Sequence, residues 1–185
     1  MKKNAFLAPA LLLALAIPVS AKEVAGVSLP ETTTVEGKTL KLNGSGLRKK
    51  VVFKVYVAGL YLETPTRDAA AVISSDQIKR MQLSVLRSLS TAQINEAINE
   101  GFEKNSRAQM AALKSRLGRL NAMIPNVEKG DQILLTYVPG KGTVVSAKNV
   151  EKGVIEGKDF ADALFSVWLG ANPVQEDLKA ALLGT

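Results

Sequence analysis

From Val35 onward apolar and polar residues alternate in short runs, and at Ser90 this period of two gives way to helical spacing. Val35, Leu40 and Leu42 mark a first strand, broken by Gly37, and Asn43-Gly44-Ser45-Gly46 reads as a turn before the next. That next strand is the longest. Val51 to Leu62 is rich in β-branched and aromatic residues, and its second half is apolar at both parities. A strand with two apolar faces needs cover on both, which predicts a central strand between layers. Pro65 ends it. A short helix is expected over 66–75, opened by Thr66 or Asp68. Lys79 to Leu86 then alternates as a half-buried strand, with Met81, Leu83 and Val85 on one face.

Ser90 and Gln93 have the spacing of a capping box, and Ile94, Ala97, Ile98 and Phe102 follow on one helical face. A second helical stripe, over about 106–123, runs through Met110, Leu113, Leu117, Leu120 and Ile124, and reads as core packing. Arg107, Lys114, Arg116 and Arg119 lie off that stripe and read most simply as a solvated face, with contact to an anionic membrane as the alternative. Pro125 stops the helix. Two strands, Gln132 to Val138 and Thr143 to Lys148, flank the hairpin signal Pro139-Gly140-Lys141-Gly142, and a short strand is expected near Val154-Ile155. Lys158 or Asp159 opens a helix carrying Phe160, Leu164, Phe165, Trp168 and Leu169, with Gly170 as its cap. A last short helix covers 175–183. Strands, helices, strands and helices in that order predict an α+β domain with a largely antiparallel sheet.

The first residues follow a different pattern. Lys2 and Lys3 precede an apolar run from Ala5 to Ile17, Pro18 breaks it, and Val19-Ser20-Ala21 places small or slim residues before a cut at Ala21/Lys22. The run is shorter than the ~20 residues of a membrane span. Residues 1–21 therefore read as a cleavable signal peptide and 22–185 as one domain, periplasmic or secreted, with no integral membrane segment after cleavage. Losing Lys2 and Lys3 takes the formal charge from +7 to +5; the charges are scattered, so no nucleic-acid partner is expected. The chain has no Cys and no His. That removes disulfides, thiolate and imidazole metal sites, and Ser-His-Asp or Cys-His catalysis. No metal and no cofactor is expected.

Three phrases carry a more specific signal. Gly46-Leu47-Arg48 precedes the long strand ending Val57-Ala58-Gly59-Leu60-Tyr61-Leu62-Glu63. Leu86-Arg87-Ser88-Leu89-Ser90 leads into a helix. Trp168-Leu169-Gly170 is followed by Val174 and Asp177-Leu178-Lys179. In their order and spacing, over about residues 24–183, they resemble the chalcone isomerase family and its non-enzymatic relatives. The resemblance implies an open-faced β-sandwich: a large antiparallel sheet, helices packed on one face, and a ligand cleft between them. The plant enzymes close a chalcone into a flavanone with an arginine, a threonine, a tyrosine, an asparagine and a second threonine or serine. By this resemblance those positions fall on Arg48, Tyr56, Ile94, Gly101 and Val167. Only the arginine is retained, and Ile, Gly and Val donate no side-chain hydrogen bond.

One guanidinium, one phenol and an apolar remainder suit a different ligand. Arg binds a carboxylate in a two-pronged fork, a Tyr hydroxyl adds a bond, and apolar residues accept an alkyl chain. The non-catalytic plastid relatives bind fatty acids through such a pair. The resemblance thus implies an exported, non-catalytic member that binds a fatty acid or similar amphipathic carboxylate through Arg48 and Tyr56, with Ile94, Gly101 and Val167 lining the pocket. Other readings stay open. Arg48, beside Lys49 and Lys50, could be a basic hairpin turn in solvent. Lys54 shares parity with Tyr56 and is a rival cation. The chain could also be an isomerase or intramolecular lyase on an unsaturated carbonyl substrate, or a structural or protein-interaction component of the envelope.

Overall fold

A computed structural model describes residues 21–185; the segment read as a signal peptide lies outside them, save Ala21. Seven strands form one antiparallel sheet in chain order: β3 (Thr32–Val35), β4 (Lys38–Lys50), β5 (Phe53–Leu62), β6 (Lys79–Val85), β7 (Gln132–Val138), β8 (Gly142–Ala147) and β9 (Val150–Ile155). Before them β1 (Ala21–Val24) and β2 (Val27–Pro30) pair as a separate hairpin. Helix α1 (Ala69–Ser74) links β5 to β6. Helix α2 (Thr91–Asn105), a 3-10 turn and α3 (Met110–Met123) link β6 to β7. Helices α4 (Lys158–Leu169) and α5 (Glu176–Leu182) end the chain.

The helices cover one face of the curled sheet. Leu60, Met81, Leu83 and Leu135 project from the strands into one core with Ile98 and Phe102 of α2, Leu113 and Leu120 of α3, and nearly every residue of α4. Ser90 caps α2 through the expected reciprocal bonds with Gln93. The other face of β5 is also buried. Tyr61 packs with Val35, Leu40 and Ile78, its hydroxyl donates to the Pro30 carbonyl at 3.0 Å, and Leu29 of the β1–β2 hairpin is fully covered. This double cover is why β5 is apolar at both parities. Among the described residues no helix is long and apolar enough to cross a membrane.

The expected turn at Asn43–Gly46 is not there. β4 runs straight through it, with a bulge between Leu42 and Gly44, and the chain reverses instead at Glu36-Gly37 and at Val51-Val52. The glycines have a tertiary cause. A Cβ on Gly44 would lie 2.3 Å from the Ala181 carbonyl oxygen, and one on Gly46 would lie 2.7 Å from the Ala181 Cβ. Helix α5 thus rests directly on the β4 backbone. Asn43, the bulged residue, fastens it there: its amide donates to the Leu182 carbonyl at 2.8 Å and its oxygen accepts from the Thr66 N–H at 2.8 Å.

Alternation also places Lys79 on the core face, where it is 0% exposed. Its ammonium donates to the carbonyls of Val72, Ile73 and Ser75, closing the C-terminal end of α1, and lies 3.6 Å from Asp162. Burial lowers its pKa to about 8, against the pull of Asp162. Arg116 and Arg119, read as merely solvated, pair with Asp159 and Glu156 and tie α3 to the start of α4.

The same substitution should therefore have opposite effects at two glycines. Gly44→Ala sets a methyl against backbone carbonyls that cannot rotate away and should cost about 1–3 kcal/mol. Gly118→Ala, in the interior of α3 with nothing within 4 Å, should stabilise by roughly 0.5–1 kcal/mol. Urea unfolding of both variants tests this; equal effects would remove the proposed reason for Gly44.

Candidate functional site

Between the sheet and α2 lies a cavity of about 520 Å³, within the ~300–1,000 Å³ range of small-molecule sites. Its walls are largely apolar: Val55, Leu83, Val85, Ile133, Ile94 and Val167 are among them. Arg48, Tyr56, Ile94, Gly101 and Val167, the five positions named from sequence, all line it.

Strand register brings the two polar ones together. Arg48 on β4 and Tyr56 on β5 are direct cross-strand partners. The next pair is Lys49 with Lys54, so Val55 is an extra residue in a bulge. The bulge lets Val55 and Tyr56 both face the cavity and turns Lys54 off the parity of Tyr56. Lys54 is exposed and is not among the lining residues, so it is no rival to Arg48. Nor is Arg48 a turn residue in solvent. It is half-buried within β4, and the turn is three residues further on.

Each polar group is held by a partner that the sequence pattern did not reveal. Gln175, just before α5, accepts from Arg48 Nη1 at 3.2 Å and from the Lys49 N–H at 2.9 Å, and donates to the Leu47 carbonyl at 3.3 Å. Arg48 Nη1 also donates to the Lys49 carbonyl. Among the described residues Arg48 has no carboxylate within ion-pair distance. Trp168 donates its indole N–H to the Tyr56 hydroxyl at 2.9 Å. Trp168 reads from sequence as core, and it is buried; the missed signal is that a buried indole N–H needs an acceptor. Burial raises the Tyr56 pKa above its ordinary value, outweighing the Trp168 hydrogen bond and the Arg48 charge. The phenol therefore keeps its proton at neutral pH. With one lone pair engaged by Trp168, its O–H is left to donate into the cavity.

The other three positions form a hydrocarbon wall. Gly101 and Val167 are in contact where α2 crosses α4: a Cβ on Gly101 would lie 2.7 Å from a Val167 methyl. An asparagine at 101 would need the space that Val167 fills. At the mouth stand Lys50, Arg87 and Lys104 with Glu96 and Glu100; Glu100 is paired with Lys104 at 2.6 Å.

A curled antiparallel sheet with helices over one face and an apolar cavity between them defines the architecture. The model of the chalcone isomerase-like family matches residues 21–184, and the chain belongs to that family. Among solved structures, the Arabidopsis thaliana fatty-acid binding protein AtFAP1 superposes with a TM-score of 0.70 at 16% identity, over 89% of this chain and 96% of that one. No curated protein sequence matches this chain.

Proposed function

We propose that the cavity binds a fatty acid or a similar amphipathic carboxylate, with the head group on Arg48 and Tyr56 and the alkyl chain between α2 and the sheet. The observation that carries this reading is a half-buried guanidinium, held in place by Gln175 and lacking a carboxylate, beside a protonated phenol in an apolar cavity. A guanidinium in such surroundings favours an anion, and each buried methylene adds ~0.8 kcal/mol. The fatty-acid binding protein with the same fold supports the ligand class. Ile94, Gly101 and Val167 supply no proton donor, which favours binding over an isomerase reaction. The segment before Lys22 supports export by the general secretory route.

Calorimetric titration of delipidated protein with a long-chain acid and its methyl ester tests the site. The acid should bind and the ester bind far more weakly, because the ester leaves the guanidinium without an anion. Arg48→Ala should weaken acid binding by about 2–5 kcal/mol. Tyr56→Phe should cost about 1 kcal/mol, and Lys54→Ala should change little. Equal affinity for acid and ester, or an effect of Lys54→Ala as large as that of Arg48→Ala, would overturn the assignment.

A further inference from the structure

The hairpin that carries Arg48 and Tyr56 ends in a tip that weakens the fold. Val51 and Val52 form its two-residue turn, and Val51, Val52 and Phe53 are 88%, 79% and 56% exposed. Of the large apolar residues exposed among those described, only Val150 lies elsewhere. Val51 has φ 57°, a left-handed conformation that β-branched residues resist and that hairpins ordinarily give to glycine. One pair behind the turn, past Lys50 and Phe53, Lys49 and Lys54 face each other across the strands, a like-charge pairing that destabilises a hairpin. Arg87 stacks over the Phe53 ring at 4.6 Å and adds a further cation. Exposed hydrocarbon, a strained β-branched turn and opposed lysines all lie within six residues. Lys50, Val51 and Phe53 also form one lip of the cavity mouth.

We propose that this hairpin docks on the surface of an anionic lipid bilayer. Val51, Val52 and Phe53 enter the boundary between headgroups and acyl chains, while Lys49, Lys50, Lys54 and Arg87 lie among anionic headgroups. An apolar tip inside a basic collar is the chemistry such an interface selects. The hairpin itself carries no acidic residue. Glu96 and Glu100 stand across the mouth on α2, and Glu100 is neutralised by Lys104. A second copy meeting tip to tip would set one lysine collar against another, which disfavours self-association. The docked geometry opens the cavity mouth at the bilayer, so a bound amphipath could pass between the two without crossing water. That consequence, unlike the docking, rests on the carboxylate reading of the cavity.

Vesicle flotation tests the docking. The protein begins at Lys22, because the apolar run at 5–17 would bind vesicles by itself. The probes are vesicles of phosphatidylcholine alone and of phosphatidylcholine with phosphatidylglycerol. Binding is expected to the anionic vesicles and to fall with salt. Lys49→Glu with Lys54→Glu should reduce it more than about 25-fold, from roughly fivefold per lysine lost. Val52→Asp should reduce it about tenfold or more. None of these three side chains lines the cavity, so the variants should take up a fatty acid in solution as the wild type does. No binding, equal binding to both vesicles, or binding indifferent to the variants would overturn the proposal. So would a dimer in sedimentation velocity that Val52→Asp abolishes, with no vesicle binding; it would assign the tip to a second copy. Vesicle binding by a protein that takes up no acid would leave the docking standing and remove the carboxylate reading.

Discussion

The polar end of the cavity depends on how closely α5 lies on β4. The approach is possible because Gly44 and Gly46 present no side chain where the backbone of α5 and its Ala181 and Leu178 side chains come to rest. Asn43 holds the contact by bonding the end of α5. With α5 so placed, Gln175 at its start reaches the edge of β4 and binds Arg48, the Lys49 N–H and the Leu47 carbonyl together. The guanidinium is thereby held in one orientation, which would lower the ordering cost of the proposed binding. Register then sets Tyr56 opposite, and Trp168 fixes its hydroxyl from α4. Four side chains from four parts of the chain, Arg48, Tyr56, Trp168 and Gln175, thus meet at one end of the cavity.

The remainder of the cavity has the opposite chemistry. Where α2 meets α4, Gly101 admits Val167 into contact, and Ile94 continues the apolar wall. On the proposed function, such a surface would select ligands by length and shape, and Arg48 and Tyr56 would select them by charge. Hydrocarbon burial supplies affinity without direction, and the fork of the guanidinium supplies direction.

Periodicity read the secondary structure well wherever the pattern had a local cause. The two apolar faces of β5, the capping box at Ser90 and the stripe of α3 were all legible in this way. It failed where the cause was distant. Asn43-Gly44-Ser45-Gly46 has the composition of a turn, but its glycines answer to a helix more than 130 residues later. Lys79 falls on the apolar parity of its strand, and the end of α1 with Asp162 explains how an ammonium is kept there. Within the site, Ile94, Gly101 and Val167 came from family resemblance, not from any pattern in the chain. Gln175 carried no signal at all, since a glutamine before a helix is ordinary until its neighbours in space are known. The parity that makes Lys54 a rival to Arg48 is broken by a bulge at Val55, which leaves no mark in the sequence.

The charge and position of the bound head group can be read directly by carbon NMR of a long-chain acid labelled at its carboxyl carbon, in complex with the protein. If Arg48 and Tyr56 hold the carboxylate, the labelled resonance should remain that of the ionised form well below the pH at which the free acid protonates. The Trp168 indole N–H should also shift on binding, because its acceptor is the Tyr56 hydroxyl. A carboxyl resonance that titrates as it does in water, with the indole signal unmoved, would place the head group in solvent and contradict the site.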